Sequence, residues 1–243
     1  MYKIFWYECR RLLGNKFFFG ILLILLFYGW QILDRVTILG VAHTAPFSCW
    51  SFGDYLSQML PLLWIGALFF LTFFTSEKAR RVRTLTDAAP MPPRRYELSR
   101  FAAAAAGCGL LALACIGEAL FFYAWYFGWH VWGELILPAL AALLPSLVFA
   151  LGSGRLLGRI SPKLLYVWMA FPFLCMALPL PEPFGILNGS FFSTWAITMG
   201  VPDPSFSMPG SVIAAQGLLF LAGAVLLAFG PAETGREKRL SHV

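Results

Sequence analysis

Six long apolar runs punctuate this chain, and threading them back and forth across a membrane puts seventeen of its eighteen Lys and Arg residues on one side. The runs are Phe17 to Leu33, Tyr55 to Thr75, Phe101 to Phe127, Leu135 to Gly154, Leu164 to Pro181 and Ser211 to Ala232. A hydrocarbon core takes about 20 helical residues to cross, and each run meets or approaches that length. With the N-terminus inside, the inner bases are Lys3, Arg10, Arg11, Lys16, Lys78, Arg80, Arg81, Arg83, Arg94, Arg95, Arg100, Arg155, Arg159, Lys163, Arg236, Lys238 and Arg239. Only Arg35 falls outside. Cytoplasmic loops retain Lys and Arg during insertion, so the asymmetry argues for orientation as well as span number. The expected fold is an all-α membrane protein with six transmembrane helices and cytoplasmic N- and C-termini, in a bacterial-type cytoplasmic (inner) membrane.

A mean hydropathy of +0.73 and 59% hydrophobic content over 243 residues exclude an ordinary soluble domain. The positive charge faces headgroups and cytoplasmic partners, so no nucleic-acid partner is expected. The five cysteines lack CxxC spacing, which indicates neither a disulfide framework nor a metal site. The first run exceeds the ~7–15 apolar residues of a signal peptide and reads as an uncleaved anchor.

Residues 1–16 precede the transmembrane domain, 17–232. There Tyr2, Phe5, Trp6, Cys9, Leu12 and Leu13 recur at helical spacing opposite Lys3, Tyr7, Arg10, Arg11 and Gly14. That pattern predicts an amphipathic helix in the headgroup plane, with membrane lipid as its partner. Pro61 predicts a kink in the second run. Ala102 to Ala106 with Gly107 and Gly109, and Ala150, Gly154 and Gly158, form small faces that serve as helix seams, within the subunit or between subunits. The stretch 183–202 carries no charge, but a full crossing would put the basic tail 233–243 outside. It is expected as a re-entrant outer segment of two short helical pieces before the sixth helix.

No nucleotide, zinc-protease, hydrolase or dinucleotide motif occurs. Glu118 is the one ionisable group within a span; about 25 Å along its helix, it suits a structural, solvated or substrate-pathway role. The informative loop is 76–100, SEKARRVRTLTDAAPMPPRRYELSR. Ser76 can cap a short basic helix with Glu77 in its first turn and Val82 and Leu85 at i and i+3. Pro90, Pro92 and Pro93 stop that helix. The product is a stiff knob at the membrane surface.

At this loop the chain resembles the type-2 permeases of ATP-binding-cassette (ABC) exporters. The resemblance rests on Glu77 with its basic run, Thr84-Leu85, Pro90, and Arg94-Arg95-Tyr96 leading to Arg100, together with the overall architecture. Arg83 departs from the family's usual glycine. The resemblance implies a coupling helix that seats in a separate ABC ATPase subunit, with Val82, Leu85 and Met91 as apolar anchors and Glu77, Lys78, Arg80 and Arg81 as polar contacts. It also implies a second permease subunit, identical or related, and export of an amphiphilic substrate such as a lipid, drug or membrane-active peptide. The chain would not be an enzyme by itself and would bind no cofactor directly; ATP and Mg would sit on the partner. A polytopic scaffold or sensor that uses the same loop to hold another cytoplasmic partner is the alternative.

Overall fold

The computed structural model describes residues 2–75 and 93–229. Among them every regular element is helical, with no strand. Helix α1 (Tyr2–Leu13) leads into α2 (Lys16–Arg35), α3 (Cys49–Thr75), α4 (Pro93–Phe127) and α5 (Ile136–Ile160). Two short helices follow, α6 (Pro162–Trp168) and α7 (Phe171–Ala177), then α8 (Ser190–Thr198) and α9 (Gly210–Phe229). Among the described residues five stretches are long and apolar enough to cross a membrane: Lys16–Leu39, Cys49–Phe73, Tyr96–Phe127, Trp132–Ile160 and Gly210–Ala228. The chain is a multi-pass membrane protein.

Five long helices stand where six were expected. The apolar run 164–181 is interrupted: Met169 and Ala170 form a turn, Pro172 opens the first turn of α7, and the chain is extended from Leu178. A proline fits a first helical turn because its missing N–H is not needed there. The two pieces climb antiparallel along α3. Leu165 lies beside Gly154 on α5, which itself faces Leu68 and Leu71 of α3; Trp168 and Phe171 stack near Trp64, and Pro172 and Cys175 reach Leu60.

Helix α3 is the most buried of the long helices and organises the rest, packing against α2, α4, α5, α6, α7 and α8. It stays continuous through Pro61, which leaves the Ser57 carbonyl without its helical donor. Asn15 starts α2 by accepting the Phe17 N–H at 3.2 Å, and Ser161 caps α6 ahead of Pro162. The small faces fall mostly inside the subunit. Gly107 meets Leu12 and Phe70, and Ala150 is fully buried, while Gly109 faces open space. The tightest seam joins α5 to α9, where Gly152 and Gly223 bring two backbones into contact.

Helix α1 is amphipathic, with a different split from the expected one. Phe5, Glu8, Cys9 and Leu12 turn inward against α4, whereas Tyr2, Trp6 and Tyr7 lie exposed with Lys3 and Arg10. The outward face therefore mixes aromatic and basic residues, the composition that suits a headgroup layer.

The segment 183–202 holds one nine-residue helix, α8, too short to cross. Both its flanks stay at the Cys49 end of α3. Gly189 lies against Asp54, and the Trp50 indole N–H donates to the Pro204 carbonyl at 2.8 Å.

Candidate functional site

The docking residues Glu77, Lys78, Arg80, Arg81, Val82, Leu85 and Met91 lie outside the described residues. What the structure describes is the root of their loop. The outgoing root is the last turn of α3, where Arg11 of α1 lies over the Phe73 ring with 5.0 Å to its centroid. The returning root is the first turns of α4. There the Tyr96 hydroxyl donates to Glu8 Oε1 at 3.1 Å, and Arg100 lies over the Tyr96 ring. Glu97 accepts from Arg159 at 2.9 Å and pairs with Arg155 at 3.6 Å, tying α4 to the end of α5. Arg155 also donates to the Leu227 carbonyl of α9. Glu8 is only 1% exposed and pairs with Arg11 at 3.4 Å. The loop's roots are thus clamped to α1, α5 and α9 through charged side chains rather than apolar contact alone.

Glu118 on α4 is half-buried and faces α2 and α3. The Tyr55 hydroxyl donates to the Cys115 carbonyl at 3.2 Å and to Glu118 Oε2 at 3.3 Å, one proton shared between two acceptors. Room for the carboxylate comes from Gly29, where a Cβ would run into Glu118 Oε2 and lie 2.9 Å from the Tyr55 hydroxyl. Of the roles open to Glu118, this geometry favours a three-helix tie. We expect Tyr55→Phe to destabilise the protein by about 1–3 kcal/mol, the range for leaving a partly buried polar group without its hydrogen-bond partner. Thermal unfolding in detergent micelles measures it; unchanged stability would return Glu118 to the candidates for a pathway residue.

Hydropathy alone leaves Asp54 outside, just ahead of the run that opens at Tyr55. It belongs instead to the second turn of α3 and is 8% exposed. Its Oδ2 accepts from Gln58 Nε2 at 2.6 Å. Gly189, just ahead of α8 and far along the chain, lies against it, so no local signal reveals its burial. The burial of Glu8 is equally invisible in the sequence, because only the docking of α1 on α4 covers it.

All five cysteines are unbonded, and Cys9, Cys108, Cys115 and Cys175 are buried among apolar side chains. Among the described residues no group of three or more His, Cys, Asp or Glu is arranged to hold a metal ion. No family model, curated protein or solved structure matches this chain.

Proposed function

We propose that this chain is the membrane subunit of an ABC exporter, driven through loop 76–100 by a separate ATPase subunit. The observation that carries the reading is the position of α3. The helix with the largest buried share ends at Thr75, directly ahead of the basic, proline-rich loop in the sequence, and packs against α2, α4, α5, α6, α7 and α8. A pull or push on the loop would act on the centre of the bundle rather than on its edge. The clamp of Glu97 on Arg155 and Arg159 would carry the same motion to α5. In a close-packed interior, displacement at one end of a helix is transmitted because neighbours cannot be compressed.

In this reading the pair α6–α7, with the extended residues Leu178–Pro181, makes the sixth crossing. The pair rises about 24 Å at 1.5 Å per residue, and four extended residues add about 13 Å, together sufficient for a core of ~30 Å. Its antiparallel climb along α3 supports that path. Both termini are then cytoplasmic, 183–202 is the re-entrant outer segment, and the bases of the Glu97 and Glu8 clusters face the cell interior. A second permease, identical or related, completes the pathway by covering apolar faces such as those of α2 and α9, which are largely exposed in one subunit.

Affinity purification tests the reading. The tagged protein should bring down an ATP-hydrolysing partner, and Leu85→Asp should abolish that association by placing a charge at an apolar anchor. Recovery of a cytoplasmic partner without nucleotide-binding capacity would instead favour the scaffold or sensor.

A further inference from the structure

We propose that the seam between α2 and α4 carries a lipid-facing site for an alkylammonium group, built on Glu118 and the ring cluster of Trp30, Phe122 and Tyr126. Glu118 is half-buried, so part of it stands at the surface of the bundle. It lies about 13 Å along α4 from the end of that helix at Phe127. Its inner side is fixed: Oε2 accepts from the Tyr55 hydroxyl and occupies the space that a Cβ at Gly29 would take. Both partners are uncharged, and among the described residues no basic side chain pairs with it. A carboxylate at a hydrocarbon boundary without a counter-charge is costly, and in membrane helices it marks a functional position. The second, independent observation is the aromatic cluster. Phe122 stands one turn beyond Glu118 on the same face of α4, and Trp30 directly follows Gly29 on α2. The Trp30 ring centre lies 5.5 Å from that of Phe122 and 6.3 Å from that of Tyr126, and Phe122 lies 4.6 Å from Tyr126.

The site is open on its outer side. Trp30 is 36% and Tyr126 48% exposed, and a Cβ at Gly117, beside Glu118, would meet nothing within 4 Å. A ligand reaches it from the lipid, along the surface of the seam. The ligand's charge is positive, to offset Glu118, and aromatic faces stabilise a cation whose substituents are apolar. Its body is hydrocarbon, because Leu26 and Leu23, one and two turns from Trp30 on the same face of α2, are exposed along an apolar span. A divalent inorganic ion is poorly served, since one carboxylate and one hydroxyl fall short of the roughly six to eight oxygens that Mg²⁺ and Ca²⁺ take. The ligand class is an ammonium group on an alkyl chain, supplied by a phospholipid headgroup or by a free cationic amphiphile. Its standing as cargo rests on the permease reading; its binding to the chain does not.

The test uses the full-length chain in dodecyl maltoside micelles at mildly alkaline pH, without any ATPase, so that failure here leaves the permease reading standing. The probe is dodecyldimethylammonium with a TEMPO nitroxide on its nitrogen, which quenches tryptophan fluorescence at short range. The uncharged control is the dodecanamide of amino-TEMPO. Saturable quenching by the cation is expected, against a linear, unsaturating decrease with the amide. Glu118→Gln should weaken the saturable phase by about tenfold or more. It should leave the unfolding temperature close to that of the unaltered chain, because the amide oxygen still accepts from Tyr55. Trp30→Phe should remove much of the saturable amplitude, since it takes away the reporter in the site. Displacement of the probe by phosphatidylethanolamine would identify a lipid headgroup as the source, and displacement by dodecyltrimethylammonium alone a free amphiphile. Equal saturation by the amide, unaltered affinity in Glu118→Gln, or unaltered amplitude in Trp30→Phe would each overturn the proposal. Saturation by neither probe would overturn it too, and a dimeric chain would then assign the face to a second copy. Should Glu118→Gln fail to fold, the amplitude in folded Trp30→Phe decides instead.

Discussion

Gly223→Val is expected to destabilise the membrane bundle strongly, on the order of 3 kcal/mol. A Cβ at Gly223 would stand 2.6 Å from the backbone nitrogen of Phe149 and 2.7 Å from its Cα. Both are main-chain atoms of α5, so no rotamer change relieves the clash and the two helices must separate. Separation would undo the reciprocal contact at Gly152 and the hydrogen bond from Arg155 to the Leu227 carbonyl. In lipid the bundle has no hydrophobic drive to recover the loss, since tails are as apolar as the exposed helix faces, and close packing supplies the association energy. Gly217→Val is the matched control. It lies in the same helix, and a Cβ there would meet nothing within 4 Å. It carries the same change in helix propensity, a fraction of a kcal/mol and in the stabilising direction. Thermal unfolding of the two variants in micelles separates backbone contact from propensity. Equal behaviour would mean that α9 is held by something other than this seam.

Much of the bundle was legible because membrane helices announce themselves by uninterrupted hydropathy. The run Phe17–Leu33 became Lys16–Arg35, and Leu135–Gly154 became Ile136–Ile160. The second difference has an identifiable cause. Helix α5 continues past the apolar run because Arg155 and Arg159 find Glu97, a partner that hydropathy does not register. Similarly, α3 starts at Cys49 rather than Tyr55. The sequence Cys-Trp-Ser-Phe-Gly-Asp has loop composition, yet it is covered by Phe191, Phe192 and Phe206 from a segment about 140 residues later. The interruption of run 164–181 was present in the letters, as Pro172, Pro179 and Pro181, but a hydropathy average over the run hides them. Glu118 could be singled out because it stands alone in an apolar span. Its partners Tyr55 and Gly29 could not, because nothing local distinguishes a tyrosine that ties two helices from one that faces lipid. The buried state of Asp54 and Glu8 is tertiary in the same sense.

The second large effect is expected at the junction between α1 and the bundle. Arg11→Ala removes the basic partner of Glu8, whose carboxylate keeps a hydrogen bond from Tyr96 and is otherwise enclosed. Breaking a buried ion pair by deleting one member costs about 3–5 kcal/mol when the other charge stays buried. Helix α1 has a less costly response. It is twelve residues long and packs on α4 and, more lightly, α2, so it can lift away and return Glu8 to water without unfolding the spans. Cys9 reports the difference. Burial, and secondarily the neighbouring Glu8 charge, raise its thiol above the ordinary cysteine range, so at neutral pH little thiolate is present. Undocking removes the larger cause, the thiol returns toward its ordinary value, and thiolate rises at fixed pH. Labelling of Cys9 by a maleimide, followed by peptide mass spectrometry, should accelerate by roughly tenfold or more in Arg11→Ala. Cys108, inside α4, should react no faster. Acceleration at both would signal loosening of the whole bundle, and acceleration at neither would mean that Glu8 keeps its place by other contacts. Because Arg11 also lies over Phe73 in the last turn of α3, undocking of α1 frees the root of loop 76–100. Helix α1 and both roots of the loop therefore meet around one buried carboxylate, Glu8, which holds Arg11 and Tyr96.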